Sequence, residues 1–438
     1  MIRMELESHS SELDDLALRG GRPTRKAPWP TYDKGNVMVD GDEVEAAIRV
    51  LKRRLLFRYD QRPLAETEVG RFEHALCKFF GSKHALAVSS GTAALAVSFM
   101  ALGLRPGDEV LCSAFGFPAS PSSIILAGGH PVLVDVDDDM HMDPDDIERK
   151  ITANTKAILV VHMRGQAGNL GRILEIATER CIPIVEDAVP ILGARIGNKY
   201  IGTFGAFGAF STQSDKSLNT GEGGFILTDD STLFERAVLL SGAYEGRVKK
   251  HCNWEMTTND GGLPLYNFRM DEIRGAIACS QLEKLPNRLE AMRNNYDAII
   301  KILAKHSELK VRKSHYPEAT LGDNVIFRLE NSDPVDAQWF ADALSAEGID
   351  ARSFGPLGAV NARSFWNWGF MFPGKSRQEI RALLPQATHL LDQTIDVPLS
   401  PMLDDDDIAD FERAIAKILR ERQIRLSNAS AMVEQAST

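Results

Sequence analysis

Cysteine is scarce. Five residues, Cys77, Cys112, Cys181, Cys252 and Cys279, are scattered along 438 positions with no CxxC pair. No disulfide framework is spelled out, and an odd number of widely spaced thiols reads as reduced cysteine in a cytoplasmic protein. There is no HExxH and no histidine cluster, which argues against a metal enzyme. No apolar run approaches the roughly 18 to 20 residues that span a bilayer. The opening MIRMELESHSSELDD has no apolar h-region, so it does not read as a secretory signal. We expect no membrane partner and a cytoplasmic location. Basic charge is short as well: 50 Lys and Arg stand against 61 Asp and Glu, a net of −11. A nucleic-acid binder needs a basic face, so no such partner is expected.

Two tempting motifs fail on inspection. Asp135, Asp137 and Asp139 have EF-hand spacing, but Met140 stands where that loop needs glycine and Asp146 where it needs glutamate. The run reads as a strand end and an acidic helix start. In GTFGAFGAF, Gly202, Gly205 and Gly208 are three apart and form no GxGxxG, so no dinucleotide fingerprint is present.

What is there is an alternation. Strand-like HALAVS (84–89) precedes helix-like SGTAALAVSFMALGL (90–104). DEVLCS, HPVLVDVD (130–137), TKAILVVHM (155–163) and IPIVEDA (182–188) follow as strands with helical stretches between most of them, and 204–211 and 223–229 add two more. Short buried strands alternating with helices predict an α/β fold with a mainly parallel sheet covered on both faces. From about residue 300 the pattern changes to a smaller α+β unit. The expected organisation is a mobile leader over 1–30, a large domain over 31–300, a small C-terminal domain over 301–425 and a polar, frayed tail over 426–438.

Three places invite chemistry. Ser90-Gly91-Thr92 lies between a strand and a helix, where free amides and the helix dipole suit a phosphate; a plain N-cap is the bland reading. Asp187 ends a greasy strand at the sheet edge where open α/β folds bind ligands, or it caps the next helix. Lys216 sits in STQSDKSLNTGEGG (211–224), between a buried-looking strand and several glycines. A partly desolvated lysine there can form a Schiff base, although most loop lysines are solvated.

Taken in order, these features resemble the DegT/DnrJ/EryC1/StrS family. The resemblance spans roughly residues 40 to 420 and includes DPDDIERKITANTKAILVVHMRG, YNFRMDEIRGAIACSQLEKL and DVPLSPMLDDDDI. It implies a fold-type I pyridoxal-phosphate transferase with a mixed seven-stranded sheet, acting as a sugar or cyclitol aminotransferase. By the same resemblance, Lys216 would hold the cofactor as a Schiff base and later move a proton, and Asp187 would pair with the pyridine nitrogen. Phe117 would stack on the ring, and Gly91, Thr92, Ala93 and Ser211 would bind the phosphate. Asn267 would reach the phosphate of the neighbouring subunit in a homodimer with shared sites. The small-molecule partners would be glutamate or glutamine as donor and a keto-sugar or keto-cyclitol as acceptor. Glu222 is expected to be structural; Arg328, Arg352 and Arg363 are candidates to bind a donor carboxylate, with an ordinary surface arginine the favoured reading of each.

The chain departs from the family pattern at three points. Pro190 stands where glutamine or histidine is usual, Asn169-Leu170 replaces an aspartate-methionine pair, and the loop 246–264 is long. Such changes bear on the acceptor pocket and open a rival reading, another fold-type I reaction on an amino acid. A branch of the family performs dehydration with histidine in place of the lysine; Lys216 argues against it. A non-catalytic homologue would have lost Lys216 or Asp187, and both are present.

Overall fold

The computed structural model describes residues 15–30, 36–259, 261–330, 332–357 and 360–436. The strands of its first part are β1 (His84–Val88), β2 (Glu109–Ser113), β3 (His130–Val134), β4 (Thr155–Val161), β5 (Ile184–Asp187), a ribbon of β6 (Arg195–Ile196) with β7 (Lys199–Tyr200), then β8 (Phe207–Ser211) and β9 (Gly224–Thr228). Apart from the ribbon they form one seven-stranded sheet in the order β1-β9-β8-β5-β4-β2-β3. All neighbours are parallel except β9, which runs antiparallel to both β8 and β1. The predicted α/β class with a mixed seven-stranded sheet is observed.

The helices of this part are α1 (Gly41–Arg53), α2 (Glu68–Phe80), α3 (Gly91–Ala101), α4 (Ala119–Leu126), α5 (Pro144–Lys150), α6 (Leu170–Glu179), α7 (Ser231–Ser241) and α8 (Glu272–Leu303). Alternate residues along the strands feed two cores, as period-2 geometry requires. Leu86, Val88, Leu159, Val185 and Phe207 meet Leu95 and Phe99 of α3 on one face. Ala87, Phe210 and Phe225 meet Phe72 and Phe80 of α2 and Leu282 of α8 on the other. Helix α3 is apolar all round because it is buried on nearly every side.

The glycines of GTFGAFGAF serve packing. A Cβ on Gly208 would lie 1.8 Å from the Gly202 carbonyl oxygen, and one on Gly205 would lie 2.6 Å from that of Ile184. Glu186, buried on β5, accepts from the amides of Gly202, Phe204 and Gly205 at 2.8, 2.7 and 2.7 Å and so clamps this turn under the sheet.

The second part is an antiparallel sheet ordered β10 (Leu309–Val311), β11 (Asn324–Leu329), β13 (Thr394–Pro398), β12 (Arg352–Ser353). Its helices are α9 (Pro334–Ala346), α10 (Arg377–Arg381), α11 (Pro385–Asp392) and α12 (Asp405–Ala436). The boundary drawn at residue 300 falls inside α8, whose last turns place Ile299, Ile302 and Leu303 in the core with Phe327, Phe340 and Ile415.

Two expectations need correction. Of the leader drawn over 1–30, residues 1–14 lie outside the described residues, and 15–30 are docked on the small domain. Leu16 and Trp29 enter its core, and Trp29 Nε1 donates to the Pro398 carbonyl over 2.9 Å. Buried Glu347 accepts from the amides of Ala17 and Thr24, each at 2.8 Å, and from Lys417. Two apolar anchors and one carboxylate overcome the polar composition of the segment. The tail drawn over 426–438 continues α12 as far as Ala436 rather than fraying at 426; Ser437 and Thr438 lie outside the described residues.

Candidate active site

The carboxyl ends of the parallel strands open on a cavity of about 270 Å3. Ser90, Gly91 and Thr92 at the start of α3, Phe117 before α4, Met163 and Arg164 after β4, Asp187 at the end of β5, Ser211 at the end of β8 and Lys216 all line it. The register explains the convergence. Asp187 pairs with Val161 of β4 on one side and Ala209 of β8 on the other, so β4 and β5 end level and β8 carries Ser211 two residues further.

The side chain of Ser90 caps α3 by accepting the Ala93 amide at 3.0 Å. That leaves Gly91 and Thr92 as helix-start amides without intrahelical acceptors. Ala93 is therefore the exception among the expected phosphate ligands: its N–H is engaged by the cap, and it does not line the cavity. Gly91 faces Ser211 closely enough that a Cβ would lie 2.8 Å from that of Ser211. Only glycine lets the helix start and the strand end form one narrow cradle.

Asp187 is buried, and its carboxyl accepts from Ser120 Oγ at 2.9 Å and from the Val189 amide at 3.3 Å. Among the described residues none places a cationic nitrogen within ion-pair distance of it. Burial pushes the carboxyl up from its ordinary value of 3.8, and the two hydrogen bonds oppose that rise. A buried carboxylate with neutral donors only, facing a cavity, is suited to a cationic N–H from a ligand. Lys216 Nζ lies 3.1 Å from Asp215 Oδ2, and the lysine side chain is 26% exposed. Phe117, 48% exposed, covers part of the mouth. Together the cradle, the carboxylate, the lysine and the aromatic ring fit pyridoxal phosphate: its phosphate, ring nitrogen, aldehyde and ring face each find a group of matching chemistry.

Asn267 is exposed and does not line the cavity of its own chain. Glu222, expected to be structural, is on the cavity wall, as is Pro190. Arg363 also lines the cavity instead of lying on open surface; its neighbour Ser364 bridges to Phe115, two residues before Phe117. Arg328 is a buried arginine whose guanidinium donates to the Asp138 carbonyl at 2.8 Å. Arg352 is exposed, as expected. The long loop 246–264 is tied elsewhere: Glu235 of α7 accepts from Trp254 Nε1 at 2.6 Å and from the Thr257 and Thr258 amides at 3.0 and 3.1 Å. None of its described residues lines this chain's cavity.

Some residues of the site carried no signal in the sequence. Ser120 is one serine among several in SPSSIILAGG. Arg164 adopts a left-handed backbone (φ 56°) and bridges from β4 to the small domain, where it pairs with Asp396 and donates to Asn324 Oδ1 at 3.1 Å. Asp323, beside Asn324, brings the small domain to the cavity wall. A non-glycine residue in the left-handed region is a cue only once the backbone is known.

Residues 59–416 match the DegT/DnrJ/EryC1/StrS aminotransferase family. The L-glutamine:2-deoxy-scyllo-inosose aminotransferase of Streptomyces kanamyceticus is 29% identical over 93% of this chain and 98% of its own length. The GDP-perosamine synthase of Escherichia coli O157:H7 is 34% identical over 52% of this chain; the match spans 61% of that synthase, and 60% of its counterparts from Vibrio cholerae and Caulobacter vibrioides. In fold the chain is similar to 3-amino-5-hydroxybenzoic acid synthase, with a TM-score of 0.76 at 21% identity, covering 91% of this chain and 100% of the other. It is equally similar to DesI, solved in the presence of its TDP-sugar product, with a TM-score of 0.76 at 24% identity, covering 95% and 100%. With the match running over most of its length, the chain belongs to the DegT/DnrJ/EryC1/StrS aminotransferase family.

Proposed function

We propose that this protein is a pyridoxal-phosphate-dependent aminotransferase. It moves an amino group from glutamate or glutamine to a keto-sugar or keto-cyclitol, in the biosynthesis of an aminated metabolite or saccharide. The observation that carries this reading is the convergence of Lys216, Asp187 and the Gly91–Ser211 cradle on one cavity. When bound, pyridoxal phosphate supplies an aldehyde for amine exchange and an electron-withdrawing ring.

The chain's own groups supply the rest. The Gly91 and Thr92 amides and Ser211 hold the phosphate. Asp187, anionic, keeps a proton on the ring nitrogen, and Ser120 and Val189 orient its carboxyl for that task. Phe117 lies against the ring and limits water at the mouth. Lys216 Nζ would hold the cofactor's aldehyde and, when free, would be the base that takes the proton from the donor's α-carbon. Retention of this lysine favours amino transfer over dehydration.

Two exposures support a homodimer with shared sites. Asn267 lies outside its own cavity, and beside it Leu265 and Tyr266 expose apolar surface. In that assembly Asn267 reaches the phosphate bound by the neighbouring subunit. The scarce cysteine and the absence of a span-length apolar helix among the described residues are compatible with a cytoplasmic setting.

The test is spectroscopic. Purified protein saturated with pyridoxal phosphate should show an absorbance band at the visible edge that is absent in Lys216→Ala. Addition of glutamate or glutamine should convert it to the pyridoxamine form. No bound cofactor in the wild type would end the reading. Binding without a half-reaction with either donor would instead favour another reaction on an amino acid, the reading that Pro190 on the cavity wall leaves open.

A further inference from the structure

Lys216 sits on a loop that closes on itself. The Thr212 amide donates to the Gly223 carbonyl at 2.9 Å, Thr220 to Thr212 at 2.8 Å and Ser214 to Gly221 at 3.1 Å. Those bonds fix the neck of the loop, and the Lys216 amide donates to the Gln213 carbonyl at 2.9 Å; the residues just after the lysine are held from elsewhere. Leu218 supplies an apolar anchor by entering the core beside Leu285 of α8.

The polar anchor also comes from α8. Arg288 Nη1 donates to the Ser217 carbonyl and, at 2.8 Å, to Gln281 Oε1. The Asn219 amide reaches the same Gln281 oxygen at 3.4 Å. Gln281 Nε2 in turn donates to Glu43 Oε1 of α1 at 2.9 Å, and Lys284 Nζ lies 3.0 Å from Glu43. Among the described residues, no other element gives a side-chain hydrogen bond to residues 217–219.

Arg288 is 1% exposed, and its Nε and Nη2 have no acceptor among the described residues. Burial pulls its guanidinium down to about 10. A buried cation with unmatched donors is unfavourable, and an apolar side chain of similar volume would fill the space at less cost. What Arg288 provides that such a side chain cannot is a hold on the Ser217–Leu218 peptide, one residue beyond the lysine.

We infer that Arg288 and Gln281 are positioning residues: they fix the Ser217–Leu218 and Leu218–Asn219 peptides just beyond Lys216, so that the lysine amine returns to one place in the cavity. The inference rests on the reading of Lys216 as the cofactor lysine. A reacting group displaced by about 1 Å can cost on the order of 100-fold in rate, so a loop tip held only at its neck would be a poor platform for that amine.

Two variants test it. Arg288→Lys keeps the charge but loses the fork of donors. Gln281→Met keeps the volume and loses every hydrogen bond. Each is compared with wild type by circular dichroism, by titration with pyridoxal phosphate, by kcat and KM with whichever donor the wild type accepts, and by the pH midpoint of the visible band. The expected result is a folded, cofactor-loaded protein with kcat lowered about 10-fold, KM nearly unchanged and the midpoint displaced. Variants that melt at lower temperature but keep the wild-type kcat and midpoint would reduce Arg288 to a packing role and overturn the inference. If Arg288→Lys fails to fold, Gln281→Met decides alone. A wild type that takes up no pyridoxal phosphate defeats the underlying reading instead, before any variant is compared.

Discussion

The Ser120 hydroxyl donates to Asp187 Oδ2 over 2.9 Å, on a carboxyl that burial already pushes towards the protonated state. Removing the hydroxyl takes away a bond that favours the charged form, so the carboxyl rises further. In the proposed function Asp187 acts as an anion, and that function would be lost as pH falls through its pKa. In Ser120→Ala the acid limb of the kcat/KM profile should therefore move to higher pH, with kcat near neutrality lowered up to about 10-fold. An acid limb superimposable on the wild type would show that Ser120 does not tune Asp187.

Gly91→Ala should weaken cofactor binding without unfolding the protein. The added methyl would lie 2.8 Å from Ser211 Cβ, a side chain fixed by the end of β8, so the cradle must open. A rise in the Kd for pyridoxal phosphate of about 10-fold or more is expected, on the scale of 1.4 kcal/mol. Fluorescence titration of the apoprotein measures it directly; an unchanged Kd would mean that the phosphate sits elsewhere.

Trp29→Ala should destabilise the small domain. The ring is buried against Phe411, and its N–H is bonded to Pro398. Truncating a buried tryptophan costs about 3 to 5 kcal/mol. Urea denaturation followed by circular dichroism should show a lower midpoint. No change would mean that residues 15–30 are not docked in solution.

His251 gives the pH dependence of stability a named source. It is buried, its Nε2 lies 2.9 Å from the Tyr59 hydroxyl, and burial together with the Arg58 guanidinium and Lys250 holds it well below 6.5. Glu73, 3.8 Å from Nδ1, is itself paired with Arg58. An imidazole kept neutral in the fold but free to charge in the unfolded chain contributes stability that is present above 6.5 and lost as pH falls below it. The loss is about 1.4 kcal/mol per pH unit. His251→Gln should narrow the stability difference between about pH 7.5 and about pH 5.5. An undiminished difference would assign the acid sensitivity to other groups, such as His141, which burial and Arg312 also hold low.

The parts of the site that were legible in the sequence are those fixed by local rules. Asp187 announced itself by ending a greasy strand, Thr92 and Gly91 by opening a helix after one, and Lys216 by its polar loop between β8 and β9. Their order along the chain carried the family, and strand alternation carried the sheet. The illegible parts depend on distant contacts. Ser120 and Asp187 are 67 positions apart, and Arg288 is 71 from Ser217. Nothing local marks either pair. Arg363 and Arg328 look alike in the sequence, and only the return of the small domain onto the large one distinguishes a cavity arginine from a buried strut. In the leader, Leu16 and Trp29 were the cue that polar composition obscured.

The uninterrupted course of α8 constrains how this architecture can change. The helix begins with Glu272 accepting the Glu68 and Val69 amides at the start of α2, carries the Gln281–Arg288 pair past the lysine loop, and ends with Ile302 and Leu303 in the core of the other domain. A chain ended at residue 300 would leave the small domain without part of its interior and expose Ile299. The two lobes are therefore not interchangeable cassettes. A graft of a foreign small domain would have to bring its own closing turns of this helix, in the same helical phase, or lose the alignment of the lysine along with its own core.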